Sequence, residues 1–511
     1  MNKNYFKFLF NSKKTAITFI SVSYLILYLA VLLSSSFVFG SGRKEMAALA
    51  TIIVIAFMLG FALIPTMLGY VHNKKAVDTY FALPISRKEQ IITTEIFIDL
   101  VILVPAVILS IVSMFISLLR GDTYFIRFVL LILAFIISII AFVAFNSATY
   151  LQAYSSFDGI VMMLTYLALP LLIMLLVQNF VGSYVYGFES IDMDSFLNLT
   201  SIVYASGNML IELAQRTTPV ITSPISYTVH YLICVLWHIV VSIFVIQKDY
   251  INRPVEKAEN VSDKITAYPT LIKVFTFCIL AITTTSLIDE YYEEYIIFFA
   301  LIFVLYEIAN CVYRRKIKIY AKDVILFVVS TLITIVIAFA CFKTEGFGLS
   351  RKYIKNPQNV IYRFYQYGDA EDDAIHKLIH ESYPDAYSVN LNIDVSISHK
   401  DLEHSKEVID LFEEIREKSI DEYYSKEFVQ AGRYYTNGSL NVFNNMHEDQ
   451  FGIAGDIYGP NSIQYYYPRT SYIAFSLDEL KLLDKYGDVI VSFGTEKDWL
   501  DVELNELLSS K

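Results

Sequence analysis

His72-Asn-Lys-Lys-Ala-Val-Asp-Thr-Tyr-Phe-Ala-Leu-Pro-Ile-Ser-Arg-Lys-Glu-Gln90 is the first substantial polar stretch after two long apolar runs, and it holds Lys74, Lys75, Arg87 and Lys88. Four cations beside membrane spans predict a cytoplasmic loop. Within it Val77, Tyr80 and Phe81 recur at i, i+3 and i+4, which puts them on one face of a short helix. That helix must end near Leu83, because Pro84 disfavours helical backbone in the residue before it. Ser86 to Glu89 has the capping-box pattern that starts a new helix. The segment is predicted as helix, break and capped helix, a rigid peg on the cytoplasmic side.

Around the peg the composition is that of an integral membrane protein: 511 residues, 55% hydrophobic, with repeated apolar runs long enough to span a bilayer. Charge is unevenly spread. Residues 343–511 hold 17 Lys+Arg and 30 Asp+Glu, net −13, against 23 and 21, net +2, in the 342 residues before them. The acidity belongs to one soluble segment and reads as a solvated surface. Cys234, Cys278, Cys311 and Cys341 fall in or at the ends of apolar runs without metal-type spacing, so buried packing is expected of them. The apolar run from Thr15 to Gly40 is too long for the core of a cleavable signal and is expected to stay as an anchor.

Nine spans are predicted, near 15–39, 47–71, 91–118, 125–148, 158–182, 228–247, 270–288, 295–312 and 323–342. A helix over 1–14 carries Tyr5, Phe6, Leu9 and Phe10 among lysines and is expected to lie in the interface. Segments 1–14, 72–90, 149–157, 248–269 and 313–322 then fall inside, and their Lys+Arg excess supports that orientation. An odd number of spans leaves 343–511 extracytoplasmic. The acidic turn around Asp289 and Glu290 is the critical joint, since losing a span there would move the C-terminal domain inside. Between the fifth and sixth spans, 183–227 is long and partly apolar, as a partly helical exterior cap would be.

In the C-terminal part, Tyr387, Val389, Leu391, Ile393, Val395 and Ile397 alternate with polar residues, which predicts a half-buried strand. Helices are predicted over 401–418, 478–483 and 499–508, strands over 472–477 and 489–493, and a turn at Gly459 to Ser462. The fold class is thus a polytopic α-helical membrane protein with a C-terminal α+β soluble domain.

No phosphate-cradling G-x-x-x-x-G-K-[ST] occurs, so any ATPase must be another polypeptide and this chain is expected to be no enzyme and to hold no cofactor of its own. His376 and His380 are spaced i, i+4 but lack the glutamate of a zincin, and a structural reading is expected. Glu95 and Asp99, one turn apart on one face of the third span, and Glu307 in the eighth are costly in hydrocarbon. They are candidates for a translocation path. Alternatively, Glu95 reaches the interface and Glu307 pairs with Arg314 or Arg315. His238, with His230 on nearly the same face of the sixth span, reads as helix-packing glue. The basic segments are short and abut spans, so nucleic acid is not an expected partner.

The order of elements resembles the ABC-2-type permease family: an interfacial helix, two spans, a cytoplasmic peg, then four spans with a long insertion before the sixth. Tyr80-Phe-Ala-Leu-Pro-Ile-Ser-Arg-Lys88 is similar to the LP-x-S-R stretch of its bacterial, especially Gram-positive, members. The resemblance covers 1–250 by layout. It implies a six-span core over 15–248 and a coupling loop at 72–90 docking on a separate ABC-type ATP-binding subunit. Val77, Tyr80 and Phe81 would make that contact, with Lys74, Lys75, Arg87 and Lys88 at its rim. It further implies a second permease, like or unlike, around which lipid closes, and export of an amphipathic compound, a peptide or a lipid-like molecule. Three additional spans over 249–342 and the domain over 343–511 go beyond the minimal family, though some Gram-positive permeases share such an extension. A rival reading is a membrane sensor or mechanotransmitter whose exterior domain binds a ligand such as an antimicrobial peptide. A membrane-bound hydrolase is a further rival, against which the missing catalytic motifs count.

Overall fold

The computed structural model describes residues 2–38, 44–120, 125–190, 194–215, 225–261, 264, 266, 268–285, 292–351, 359–367, 374–398, 404–424, 438–444, 463–469, 475–495 and 498–509. The chain divides into two compact units. One comprises Met1–Met174, Met193–Phe275 and Ile308–Lys318; the other comprises Leu175–Asp192, Thr276–Glu307 and Ile319–Lys511.

The chain is a polytopic helical membrane protein. Helix α1 (Lys3–Ser12) starts at Asn2, whose side chain accepts from the Tyr5 N–H, and it buries Tyr5 and Leu9. It turns by 70° into α2 (Lys14–Val38). Then follow α3 (Lys44–Leu68), α4 (Lys74–Phe81), α5 (Arg87–Arg120), α6 (Phe125–Gln152), α7 (Ser156–Tyr184), a short strand β1 (Gly187–Ser190), α8 (Asp194–Thr200), α9 (Ile202–Gln215), α10 (Ile225–Ile246), α11 (Tyr268–Thr285), α12 (Tyr292–Arg314) and α13 (Ala321–Lys343). Among the described residues, eight stretches, in α3, α5, α6, α7, α10, α11, α12 and α13, are long and apolar enough to cross a bilayer, and the bent pair α1–α2 makes nine when taken as one span. The two shortest expected spans are both among them, while Asp289 and Glu290 lie outside the described residues. In the first unit α3, α5, α6 and α10 bury Ile64, Ile98, Ile139 and Cys234 against one another. The insertion before α10 is partly helical, as expected, through α8 and α9.

The second unit is built on a seven-stranded antiparallel sheet of order β1-β5-β4-β2-β3-β6-β7, with β2 (Asn359–Tyr367), β3 (Tyr387–Ser398), β4 (Gly438–Asn444), β5 (Ile463–Arg469), β6 (Gly487–Gly494) and β7 (Trp499–Glu503). Helices α14 (Ala374–Ser382), α15 (Lys406–Tyr424), α16 (Leu477–Asp484) and α17 (Leu504–Ser509) share its core: Phe412 stacks on Tyr362 at 4.5 Å, and Phe364 meets Phe475 at 5.4 Å. The alternation predicted for β3 holds from Val389 to Ile397, all buried, but Tyr387 is 57% exposed. Ser388, at φ 53°, sits in the left-handed region where the β3–β6 register shifts, and this bulge turns the strand's first residue to the other face.

Three expectations are corrected. Residues 499–508 are not one helix: Trp499–Glu503 pairs with β6, from Gly494 opposite Trp499 to Ile490 opposite Glu503, and only the last turns are helical. An available sheet edge outweighs helical spacing there. Of the strand expected over 472–477, residues 472–474 lie outside the described residues, and Ser476 is the N-cap of α16, in a capping box with Glu479. The helix expected over 401–418 runs from Lys406 to Tyr424. The turn at 459–462 lies outside the described residues.

At the end of α15 two tyrosines tie this unit together. Tyr424 Oη donates to the Tyr184 carbonyl at 3.0 Å and accepts from the Tyr186 N–H at 3.0 Å, while Tyr423 stacks on Tyr186 at 4.2 Å. Strand β1, directly after these residues, is the outer strand of the sheet, paired with β5.

Gly487 tests the sheet. A Cβ there would collide with the Asp394 carbonyl oxygen and come within 2.7 Å of Val395 Cα, backbone that cannot swing aside. Gly487→Ala is expected to cost about 1–3 kcal/mol. Thermal unfolding of the purified protein followed by tryptophan fluorescence reads this out, since Trp499 lies on the adjoining strand; an unchanged midpoint would contradict the β3–β6 pairing.

Candidate functional site

The predicted peg is α4, held at both ends. Asn73 closes the 3-10 turn Gly69–His72 and caps α4, its Oδ1 accepting from the N–H groups of Lys75 (3.0 Å) and Ala76 (3.1 Å). Beyond Pro84, the Glu89 N–H donates to Ser86 Oγ at 3.2 Å and α5 begins.

The apolar face of α4 is turned onto its own chain. Val77 is 1% exposed. Tyr80 stacks on Tyr70 at 4.1 Å, and the Tyr70 hydroxyl bonds that of Tyr250 at 2.6 Å. Phe81 meets Tyr250 edge-on at 5.8 Å, and the Arg87 guanidinium lies over the Phe81 ring at 4.1 Å from its centroid. Lys74, Lys75, Asp78, Thr79 and Lys88 are exposed. The three residues that the resemblance would place against a partner pack on their own chain here, and the surface left open is charged.

The anchor lies in a segment whose role sequence reasoning missed, the π-helical turn Gln247–Ile251 at the end of α10 and the residues after it. Arg87 Nη1 donates to the carbonyls of Ile251 (3.2 Å) and Arg253 (2.7 Å). Arg253, 3% exposed, donates to the Leu151 carbonyl at 2.8 Å and to His72 Nδ1 at 3.3 Å. Burial brings its guanidinium down to about 10, so it stays charged at neutral pH. The ring of Tyr154 takes Arg253, Lys257 and Lys264 at 5.0, 5.2 and 5.5 Å, and Lys264 is ion-paired with Asp249. Glu259 closes the loop: its N–H donates to the Tyr154 carbonyl (2.8 Å), its Oε1 accepts from the Lys74 N–H (3.3 Å), and its carbonyl accepts from Arg315 (2.5 Å). Arg315 also lies 3.6 Å from Asp158. The signal that could have found this knot is Arg253 itself, a lone arginine before Pro254 directly after a span.

The intramembrane candidates separate. Glu95 and Asp99 share one face of α5; both are half-buried, and Glu95 Oε1 and Asp99 Oδ1 are closed to solvent without a hydrogen-bond partner. Glu307 is on α12, in the second unit, and 5% exposed. Arg315, one of its expected partners, is engaged by Asp158 and Glu259 instead. His238 is packing: its Nδ1 lies 2.8 Å from the Cys234 carbonyl oxygen and Phe145 meets its ring at 4.6 Å. The His376 and His380 rings lie 5.2 Å apart, and no group of three or more His, Cys, Asp or Glu among the described residues is arranged to hold a metal ion. Cys234, Cys278 and Cys341 are buried and Cys311 is half-buried, all four as free thiols.

Arg87→Ala removes both charge-assisted bonds to the 251–253 backbone, which are worth about 1.5–3 kcal/mol. Trypsin cleavage after Lys74 and Lys75 in the purified protein should accelerate about 10- to 100-fold as α4 detaches more often. An unchanged rate would show that α4 is held by other contacts.

Comparison with family models, with curated proteins and with solved structures finds no match to this chain.

Proposed function

We propose that this chain is the permease subunit of an ATP-driven transporter of the ABC-2 type, with α4 receiving the stroke of a separate ATP-binding subunit on the cytoplasmic side. The observation that carries this reading is the way α4 is mounted. A short helix with a charged open face is locked by Arg87, Tyr70 and Tyr80 to the ends of α3, α5 and α10. Force applied to it reaches three spans without slack. Helix α5 continues from the mount for 34 residues, about 51 Å at 1.5 Å per residue, which is more than a bilayer core. Lys74, Lys75, Asp78 and Lys88 then form the docking surface, and Val77, Tyr80 and Phe81 transmit.

On this reading ATP is bound by the partner, two permeases pair in the lipid, and closure of the ATPases opens the spans outward for an amphipathic compound, a peptide or a lipid-like molecule. The test is co-purification with an ATP-binding subunit expressed together with this chain. Lys75→Glu combined with Lys88→Glu should weaken association, by about tenfold at low salt and less at high salt. Tyr80→Asp should abolish association by breaking the stack on Tyr70, while membrane insertion is unaffected. Recovery of a full complement of ATPase with both variants would sink the assignment of α4 as the coupling element.

The sensor reading is favoured by one observation: β1, in the loop between α7 and α8, is the outer strand of the C-terminal sheet, and Tyr424 bonds the end of α7. A ligand on that domain could thus act on a span. Deleting residues 350–511 should leave transport partly intact if the domain is accessory, and should abolish signalling alone if it is the sensor.

A further inference from the structure

Some polar side chains in the interior of the first unit are bonded. The Tyr28 hydroxyl bonds that of Ser113 at 2.7 Å, and Tyr231 meets Ser138 at 2.9 Å. Others, Tyr5, Tyr24 of α2, Asn146, Tyr150 and Ser206 among them, keep a buried oxygen without a hydrogen-bond partner, and Glu95 and Asp99 are the acids of that second group. They lie one turn apart on α5, each with a carboxyl oxygen closed to solvent and without a hydrogen-bond partner. The Ser147 hydroxyl of α6, itself fully buried, faces the Glu95 carboxyl, and neither it nor Glu95 Oε1 completes a hydrogen bond. From the other elements packed on α5, Tyr5 of α1 faces Gln90 and Thr94, nearer the α4 end. Tyr70 and Tyr250 bond each other, and α3 beyond Glu45 carries no titratable side chain. No lysine, arginine or histidine among the described residues pairs with either acid.

Two like charges one helical turn apart in a membrane span, half-buried and without a counter-ion, disfavour being ionised together. Calcium or magnesium would ask for about six or more oxygen ligands, whereas Glu95 has only the Asp99 carboxyl and the Ser147 hydroxyl beside it, and no group of three or more His, Cys, Asp or Glu among the described residues is arranged to hold a metal ion. We propose that Glu95 and Asp99 are a proton-binding pair inside the transmembrane body, with Ser147 as the hydroxyl that bonds to whichever oxygen is left charged. Two further buried polar residues of α5, Gln90 and Thr94, lie toward the α4 end, the Thr94 hydroxyl donating to the main-chain carbonyl of Gln90 at 2.9 Å. The step is one O–H bond formed on a carboxylate by a proton from solvent, and the same bond broken on release. Nothing is oxidised or reduced. The pair stands independently of the transporter reading. If that reading holds, transport becomes dependent on pH.

The test uses the full-length protein in lipid nanodiscs and dicyclohexylcarbodiimide, which reacts with protonated carboxyls in apolar surroundings, with the label mapped by mass spectrometry. Glu95 or Asp99 should carry the label at pH 6, and labelling should fall by about tenfold or more at pH 10 as the proton is lost. Glu95→Gln should move the label to Asp99, and Asp99→Asn should move it to Glu95; the unmodified protein's map decides the matter if either variant does not fold. Label confined to exposed acids such as Glu89 overturns the proposal. So does suppression of labelling by sodium or potassium chloride, against choline chloride at the same pH, since the ligand would then be a metal cation.

Discussion

A guanidinium buried to 3% exposure must be surrounded by acceptors, and Arg253 obtains them from chain positions far from its own. The Leu151 carbonyl comes from the end of α6, His72 from the turn after α3, and Tyr154 supplies an aromatic face. Leaving any of these unmade would strand a charge in a poorly solvated site, at a cost of several kcal/mol. The charge therefore fixes the spacing of the helix ends around it, as no apolar contact could, since apolar contacts tolerate sliding. Arg87 repeats the device one layer out, donating to the backbone of Ile251 and Arg253. Together the two arginines convert a flexible loop into a mount, and the coupling role proposed for α4 depends on that conversion.

How far this was legible follows from the range of each interaction. Apolar length, the break at Pro84 and the i, i+3, i+4 spacing are local, and they marked the spans and α4 directly. The alternation of β3 is also local, and it failed only at Tyr387, where a one-residue bulge at Ser388 changes face. Which way α4 faces is not local. Val77, Tyr80 and Phe81 form an amphipathic stripe whether the stripe meets a partner or its own chain. The decision lies with Tyr250 and Arg253, about 170 residues further along. Trp499 to Glu503 fits a helix in isolation and becomes a strand because β6 offers an edge. Four-residue β1 could not be seen for the same reason, its partner β5 starting at Ile463.

The second unit applies the same logic with neutral groups. Tyr424 uses both donor and acceptor capacity, giving its proton to the Tyr184 carbonyl and taking one from the Tyr186 N–H. Ser350 Oγ, at 2.7 Å, completes its surroundings. The backbone leaving α7 is thereby satisfied by a side chain of the C-terminal domain, which a simple tether would not provide. Gly346, at φ 67°, leaves room for Val185 beside it, where a Cβ would come within 2.8 Å of that side chain. The connection from α13 into the domain is thus shaped, and a ligand-dependent change in the sheet has a path to a span within one compact unit.

Set side by side, the buried charges of the first unit divide by what they meet. Arg253 and the half-buried Asp249 are compensated, the first by the Leu151 carbonyl, His72 and the Tyr154 ring, the second by Lys264. Glu95 and Asp99 lack it, though Ser147 lies within reach. A purely structural pair of acids would gain from a counter-ion on α3 or α6, and replacement by apolar residues would cost the fold little. An unsatisfied pair retains one property the satisfied groups have lost, which is that its charge can change without the bundle coming apart. The mount at α4 supplies stiffness and the acids supply a variable charge, and a membrane device that turns one into the other needs them near the same helix. Helix α5 carries both, beginning at Arg87 and reaching Glu95 just over two turns later.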